Sequence, residues 1–362
     1  MTEQLKLKLN DSKATRWGAL VIVAFTMMAA YYVNDVVAPL KTMLETDLAW
    51  SSTDFGFFTG GYSFLNVFFL MLIWGGLILD RFGIRFTGKL ATILMVGGTA
   101  LEYYAMTGLA GADATLFGIN EILGYKTGVF VAFAGYSIFG VGAEVAGITV
   151  SKIIAKWFKG KELATAMGVQ VALARIGSQA GYAVAIPLAR AFGISTPVLL
   201  GLVLLLGGMI AFFIFAVMDK KLDKQMEAAA IAAGTEDEEE KFSFKDVKNI
   251  LVNPGFWLIA LLCVLFYSCV FPFQKFASEL MIIKYGINEN VAGTFAGLPA
   301  LGALILTPVF GGFIDKRGKS ASIMLLGSAM LICVHFIYAI PDINYWLLAI
   351  VLMIILGIAF SL

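Results

Sequence analysis

The stretch VQVALARIGSQAGYAVAIP, residues 169–187, is apolar or small almost throughout and carries one arginine, Arg175. A guanidinium at bilayer depth costs about 3 kcal/mol or more, so it faces a partner or a water-filled cavity and marks a functional site. Counting residues from the nearest turn gives the partner. The basic stretch KWFKGKE, 156–162, reads as a tight turn between two apolar runs, and the midpoint of positions 144 and 175 falls inside it. At ~1.5 Å of rise per residue, Glu144 and Arg175 both stand about 22 Å from that turn. An acid and a guanidinium at one depth compensate each other and still attract a polar solute; a purely structural ion pair is the plainer alternative. Tyr31, Tyr32, Tyr62 and Asn66 reach similar depth and offer hydrogen bonds and an aromatic wall, or simple interhelical packing. Asp35 lies about one turn nearer the outside, where it joins the site or caps its helix. Glu102, in TALEYYAMTG, is a further midspan carboxylate, read as a structural partner or proton-sensitive group.

Catalytic chemistry has little to work with. The chain has one histidine, His335, and three cysteines, Cys263, Cys269 and Cys333, all in apolar runs. The cysteines read as small core hydrophobes and the histidine as a packed side chain. There is no HExxH, no Cys/His cluster and no GxxxxGK[ST] loop, so no metal, cofactor or ATP-hydrolysing activity is expected. A net charge of +1 gives no footprint for nucleic acid.

These residues must be positioned by helices in a bilayer. Of 362 residues, 60% are hydrophobic and 14% charged, with mean hydropathy +0.87; a soluble domain carries about 25% charged residues. Apolar runs long enough to cross ~30 Å of hydrocarbon recur near 17–40, 54–79, 87–109, 128–156, 162–189, 195–218, 255–281, 289–314, 320–340 and 344–362. Ten spans are therefore expected, in an all-α membrane protein. The last run stops at GIAFSL with no polar exit, which implies a chain cut within or at the end of its tenth helix.

Fourteen Lys and Arg lie in the N-terminal segment and the loops after spans two, four and eight, against four (Lys41, Lys126, Arg190 and Lys284) on the other face. The excess places the N-terminus in the cytoplasm. Arg175 and Lys275 remain inside spans, and Lys275, near the outer end of its helix, is expected to snorkel. Residues 219–253, which include EDEEE at 236–240, read as a cytoplasmic linker with short amphipathic helices. They divide an N-terminal six-helix bundle, 1–218, from four spans of a second bundle, 254–362.

An internal repeat supports this division. GGLILDRFGIR, 75–85, closes the second span, and GGFIDKRGKS, 311–320, closes the eighth. Aligning Gly76 with Gly311 aligns Asp80 with Asp315, each followed by a cation, Arg81 and Lys316, with Gly83 and Arg85 completing the first copy. Gly76 is expected to admit a neighbouring helix, and Asp80 to pair with nearby cations or a helix N-terminus. Arg81 and Arg85 bridge to cytoplasmic carboxylates or lipid phosphates.

The motif resembles the loop signature of the major facilitator superfamily. The resemblance implies two six-helix bundles around a central cavity, of which helices eleven and twelve are missing here. It also implies that the fourth and fifth helices line the cavity and that the motif gates the outward-open state. Further stretches, among them YYVNDVVAPLKTML (31–44), YSFLNVFF (62–69), GAEVAGITVSKIIAKWFKGKELATAMGVQVALARIGS (142–178), FWLIALLCVLFYSCVFPF (256–273) and LGIAFSL (356–362), are similar to the animal lysosomal dipeptide uniporter branch. That branch implies a dipeptide substrate whose termini engage Glu144 and Arg175. The sequence has no [DE]xxxL[LI] sorting signal, so a bacterial relative in the cytoplasmic membrane is expected, monomeric, with the accessory subunit of the branch not carried over. The alternatives are a proton-coupled symporter of an organic anion or sugar, using Glu144, Glu102 or Asp35, and a non-transporting sensor or scaffold that binds a partner through its linker.

Overall fold

The computed structural model describes residues 8–111, 114–233, 249–317 and 320–361; side chains at 229–233, 308, 311–317 and 320 fall outside the described set. Helix occupies each of the ten expected spans. In chain order they are α1 Lys13–Val36, α2 Lys41–Asp47, α3 Ser52–Phe68, α4 Met71–Thr107, α5 Thr127–Trp157, α6 Leu163–Phe192 and α7 Thr196–Ala233. The second half holds α8 Pro254–Ile283, α9 Glu289–Ala296, α10 Leu298–Arg317, α11 Ser320–Ala339 and α12 Trp346–Ser361. Among the described residues six stretches are long and apolar enough to cross a membrane, or seven with α3 and α4 taken as one bent span. Helix α6 is not among them, because Arg175 and Gln179 dilute its apolar content.

Two departures from the expected spans have local causes. The second span breaks between α3 and α4, bent by 58°, with Leu70 left-handed at φ 52°. Val67 to Leu70 are 53–72% exposed, so little packing opposes the break there. The second and third spans are joined without a loop: α4 runs through both and turns at Gly83, whose φ of 74° and ψ of 173° suit only glycine. A third difference lies in the linker. Residues 219–233 continue α7 as one helix, because Asp219 is buried against the basic turn and holds it in register; EDEEE lies outside the described residues.

Small residues set the helix spacing in the first half. A Cβ on Gly98 of α4 would stand 2.4 Å from the Phe139 nitrogen of α5, and one on Gly135 would stand 2.6 Å from the Gly98 carbonyl. Backbones in contact gain dispersion along their whole length. One apolar core joins α1 and α3–α7; a second joins α8–α12, with Ala38 and Tyr182 reaching into it from the first half. Between α4 and α5 a two-residue hairpin pairs Glu121–Ile122 with Tyr125–Lys126. The three cysteines are exposed and not in the core as expected; Cys263 lines a cavity between α8, α11 and α12.

Candidate functional site

Helices α5 and α6 form the expected hairpin, and Glu144 and Arg175 project from it, but no ion pair joins them. The Tyr62 hydroxyl donates to Glu144 Oε1 at 2.8 Å. The Arg175 guanidinium lies over the Tyr31 ring at 5.7 Å and the Phe360 ring at 5.2 Å; among the described residues it has no hydrogen-bond partner. Tyr31 lies in the field of both Arg175 and Glu144. Two opposite charges thus face one space from adjacent helices, separated by an aromatic ring. Phe360 also lines a cavity of about 310 Å³ in the second half, with Tyr267, Phe266 and Ser328 on its wall.

The other expected site residues divide. Tyr62 and Tyr31 belong to the site. Tyr32 does not: it is buried and its hydroxyl donates to the Pro197 carbonyl at 3.2 Å, because it sits about 100° round the helix from Tyr31 and faces α7. Asn66 donates to the Tyr62 carbonyl at 3.1 Å, which leaves only its side-chain oxygen unpartnered. Asp35 neither caps its helix nor enters the site. It accepts from Asn34 at 2.8 Å and pairs with Lys275 at 3.5 Å. Lys275 therefore does not snorkel: it is buried, because carboxylate, carbonyl and hydroxyl oxygens of the first half surround its ammonium. Glu102 is fully buried with neither oxygen partnered among the described residues. His335 bonds the Leu331 carbonyl and packs on Phe273. No group of three or more His, Cys, Asp or Glu converges among the described residues.

The repeated motif builds a polar network at the basic end of the first half. Asp80 pairs with Lys152 at 2.9 Å. Arg85 reaches Asp223 at 2.7 Å and Asp219 at 3.7 Å. Asp219, fully buried, also accepts from Lys156 at 2.7 Å and from the Trp157 indole at 3.0 Å. Arg81 is exposed over Phe82. Gly76 is not the close-approach glycine: space beyond it is open, whereas a Cβ on Gly75 would meet Val145 at 2.6 Å. The side chains of Gly311, Asp315 and Lys316 lie outside the described residues. The sequence reading missed Asp219 and Asp223, although their i, i+4 spacing in MDKKLDK at the end of an apolar run is a legible signal. It also missed two contacts between halves at the opposite end, Lys41 with Glu279 and Arg190 with Glu289.

Comparison with known proteins agrees with this architecture. The family model described as Major Facilitator Superfamily matches residues 20–362. The lysosomal dipeptide transporter MFSD1 of Homo sapiens is 27% identical over 363 residues, covering 96% of this chain and 71% of its own. A solved D-xylose-proton symporter superposes with a TM-score of 0.64 at 15% identity, covering 95% of this chain and 80% of its own. A bacterial homologue of the human drug peptide transporters PepT1 and PepT2 gives 0.64 at 12% identity, covering 95% and 81%.

Proposed function

The chain belongs to the major facilitator superfamily, and from that premise we propose that this multi-pass membrane transporter carries dipeptides by alternating access. It is a transporter and not an enzyme. The observation that carries the substrate reading is the unpaired juxtaposition of Arg175 and Glu144. A guanidinium held over the Tyr31 and Phe360 rings, with no hydrogen-bond partner among the described residues, has its donors free for a carboxylate. A carboxylate steadied by Tyr62 presents its other oxygen to an amine. Charges kept apart on neighbouring helices suit a zwitterion whose own charges are separated, as a peptide's termini are. The MFSD1 relative, named as a dipeptide transporter, supports the same class.

In this reading the halves 1–218 and 254–362 rock about the site, with 219–253 joining them. The basic end faces the cytoplasm of a cell whose surface membrane holds the protein as a monomer. The pairs of Asp80 with Lys152 and of Arg85 with Asp219 and Asp223 hold the basic end of the first half together as it moves, Arg81 stands exposed beside them, Gly83 makes the turn, and Gly311, Asp315 and Lys316 repeat the motif in the second half. The test is uptake into proteoliposomes. A free dipeptide is expected to saturate the carrier, and its N-acetylated and C-amidated forms to compete poorly. Equal competition by the blocked forms overturns the assignment.

One observation favours a proton-coupled second reading. Glu102 is a buried carboxylate without a hydrogen-bond partner among the described residues, next to the inter-half contact of Lys275. Uptake that ignores an imposed pH gradient excludes that reading and leaves the first intact.

A further inference from the structure

Polar contacts between the two halves gather at one end. Among the described residues they run from 34–41, 136 and 179–190 to 274–294, at the end opposite the basic loops, here called outer. Gln179 and Tyr182 donate to backbone carbonyls; the charged contacts come from three cations, Lys41, Arg190 and Lys275, and these are not equivalent. Arg190 and Glu289 are each more than 40% exposed, where an ion pair contributes about 0–1 kcal/mol. Lys41 keeps Glu45 at 2.7 Å and Ser52 at 2.8 Å in its own half, so it stays satisfied when Glu279 leaves.

Lys275 differs on both counts. Its side chain is only 14% exposed, and every polar contact it makes lies in the other half. Its ammonium donates to the Asn34 carbonyl at 2.5 Å, the Tyr136 hydroxyl at 3.1 Å and Asp35 Oδ1 at 3.5 Å. Asp35 has the Asn34 amide as its other partner, and Tyr136 donates to the Asn34 carbonyl at 2.7 Å. Separating the halves removes all of Lys275's partners at once.

We infer that Lys275 is the latch of the outer gate, a positioning residue whose ammonium closes the carrier over the Arg175–Glu144 site by docking on Asp35, Asn34 and Tyr136. Its place is one turn beyond Tyr31. It is also in contact with the site through packed rings: the Tyr136 ring lies tilted against that of Tyr62, centroids 5.7 Å apart, and the Tyr62 hydroxyl holds Glu144. A ligand amine on Glu144 and the latch therefore act on one tyrosine pair. Removing one member of a buried pair leaves the other charge uncompensated and disfavours the closed arrangement, whereas removing both does not. The inference rests on alternating access and is independent of the dipeptide assignment.

The probe is Ser278→Cys, with Cys263, Cys269 and Cys333 replaced by alanine. Ser278 is 1% exposed and lies one turn from Lys275 on α8. Intact protein in vesicles is labelled from the outer face with a membrane-impermeant maleimide, without substrate. Lys275→Met is expected to raise the labelling rate about tenfold or more. Adding Asp35→Asn is expected to return it to within about twofold of the parent. Unchanged labelling in Lys275→Met overturns the latch. So does a double variant that labels as fast as the single, since that outcome reports general loosening. Should Lys275→Met not fold, Asp35→Asn alone serves: faster labelling supports the latch and a parental rate overturns it. A failed peptide-uptake assay leaves the labelling result standing, and a silent latch leaves the uptake result standing.

Discussion

Arg175→Ala separates a substrate anchor from a structural charge. Arg175 has no hydrogen bond or ion pair among the described residues, so its loss orphans no buried carboxylate. What the fold loses is stacking on Tyr31 at 5.7 Å and Phe360 at 5.2 Å, each contact contributing about 0.5–1 kcal/mol. Destabilisation is therefore at most about 2 kcal/mol. The ligand loses more. A hydrogen bond to a charged group contributes about 1.5–3 kcal/mol, which corresponds to a drop in peptide affinity of roughly 10- to 150-fold. Arg175→Lys keeps the charge but loses the planar fork and the stacking, and is expected to fall between the two. Binding is measured by calorimetry on the purified protein, with each variant's Tm recorded in parallel. The decisive control is a C-amidated dipeptide. If Arg175 binds the peptide carboxylate, Arg175→Ala and amidation remove the same interaction, and their effects do not add. An affinity loss of equal size for free and amidated peptide refutes the assignment, as does wild-type affinity in Arg175→Ala.

Three further outcomes follow from the fold. Gly98→Ala is expected to lower thermal stability by about 1–3 kcal/mol, because its Cβ meets the α5 backbone at 2.4 Å, while Gly97→Ala, which faces open space, is expected to be neutral; equal Tm values contradict the packing. Asp219→Ala removes a buried acceptor of Lys156 and Trp157 and is expected to cost about 3 kcal/mol, against no more than about 1 kcal/mol for Asp80→Ala, whose pair with Lys152 is half exposed. The N-terminal segment is expected to undock in acid. The Arg16 hydrogen bonds hold the Glu162 carboxyl below its usual range, and the Lys161 hydrogen bond does the same for Asp11. Both contributions are complete above the ordinary carboxylate values and vanish as pH falls through the lowered ones, so amide protection at Leu9–Asp11 should drop below about pH 4; protection that persists in acid argues against the tether.

Depth along a helix is legible in sequence, and direction around it is not. Hydropathy located helix in each of the ten expected stretches, and equal distance from one turn placed Glu144 and Arg175 on adjacent stretches of α5 and α6. Whether side chains at one level meet depends on azimuth, at about 100° per residue, and single-residue steps decided the outcome. Tyr31 faces Arg175 and Tyr32 faces α7. Gly75 touches Val145 and Gly76 touches nothing. The break at Phe69–Leu70 has no proline or glycine to announce it. Lys275 looked like a snorkelling residue because its partners, Asn34, Asp35 and Tyr136, lie 139 to 241 positions away. Only the docking of the two halves brings them together.

The same docking separates what fixes the closed outer seam from what selects it. A Cβ on Gly293 of α9 would stand 2.2 Å from the Tyr182 carbonyl of α6, and one on Gly297 would stand 2.5 Å from Gln179. The halves therefore meet at the outer end with almost no space between them. Close-packed surfaces are bistable more than compressible, so a seam of this kind is fully shut or fully parted. Dispersion across it is lost whole on opening and cannot be graded by a ligand. The charged contacts can be graded, because each has an alternative partner in water. Among the three outer cations Lys41 keeps partners in its own half and Arg190 is open to water, whereas Lys275 is largely withdrawn from water and, among the described residues, has all its polar partners across the seam. That is why the balance between the two states is expected to respond to that one side chain more than to the larger apolar seam around it.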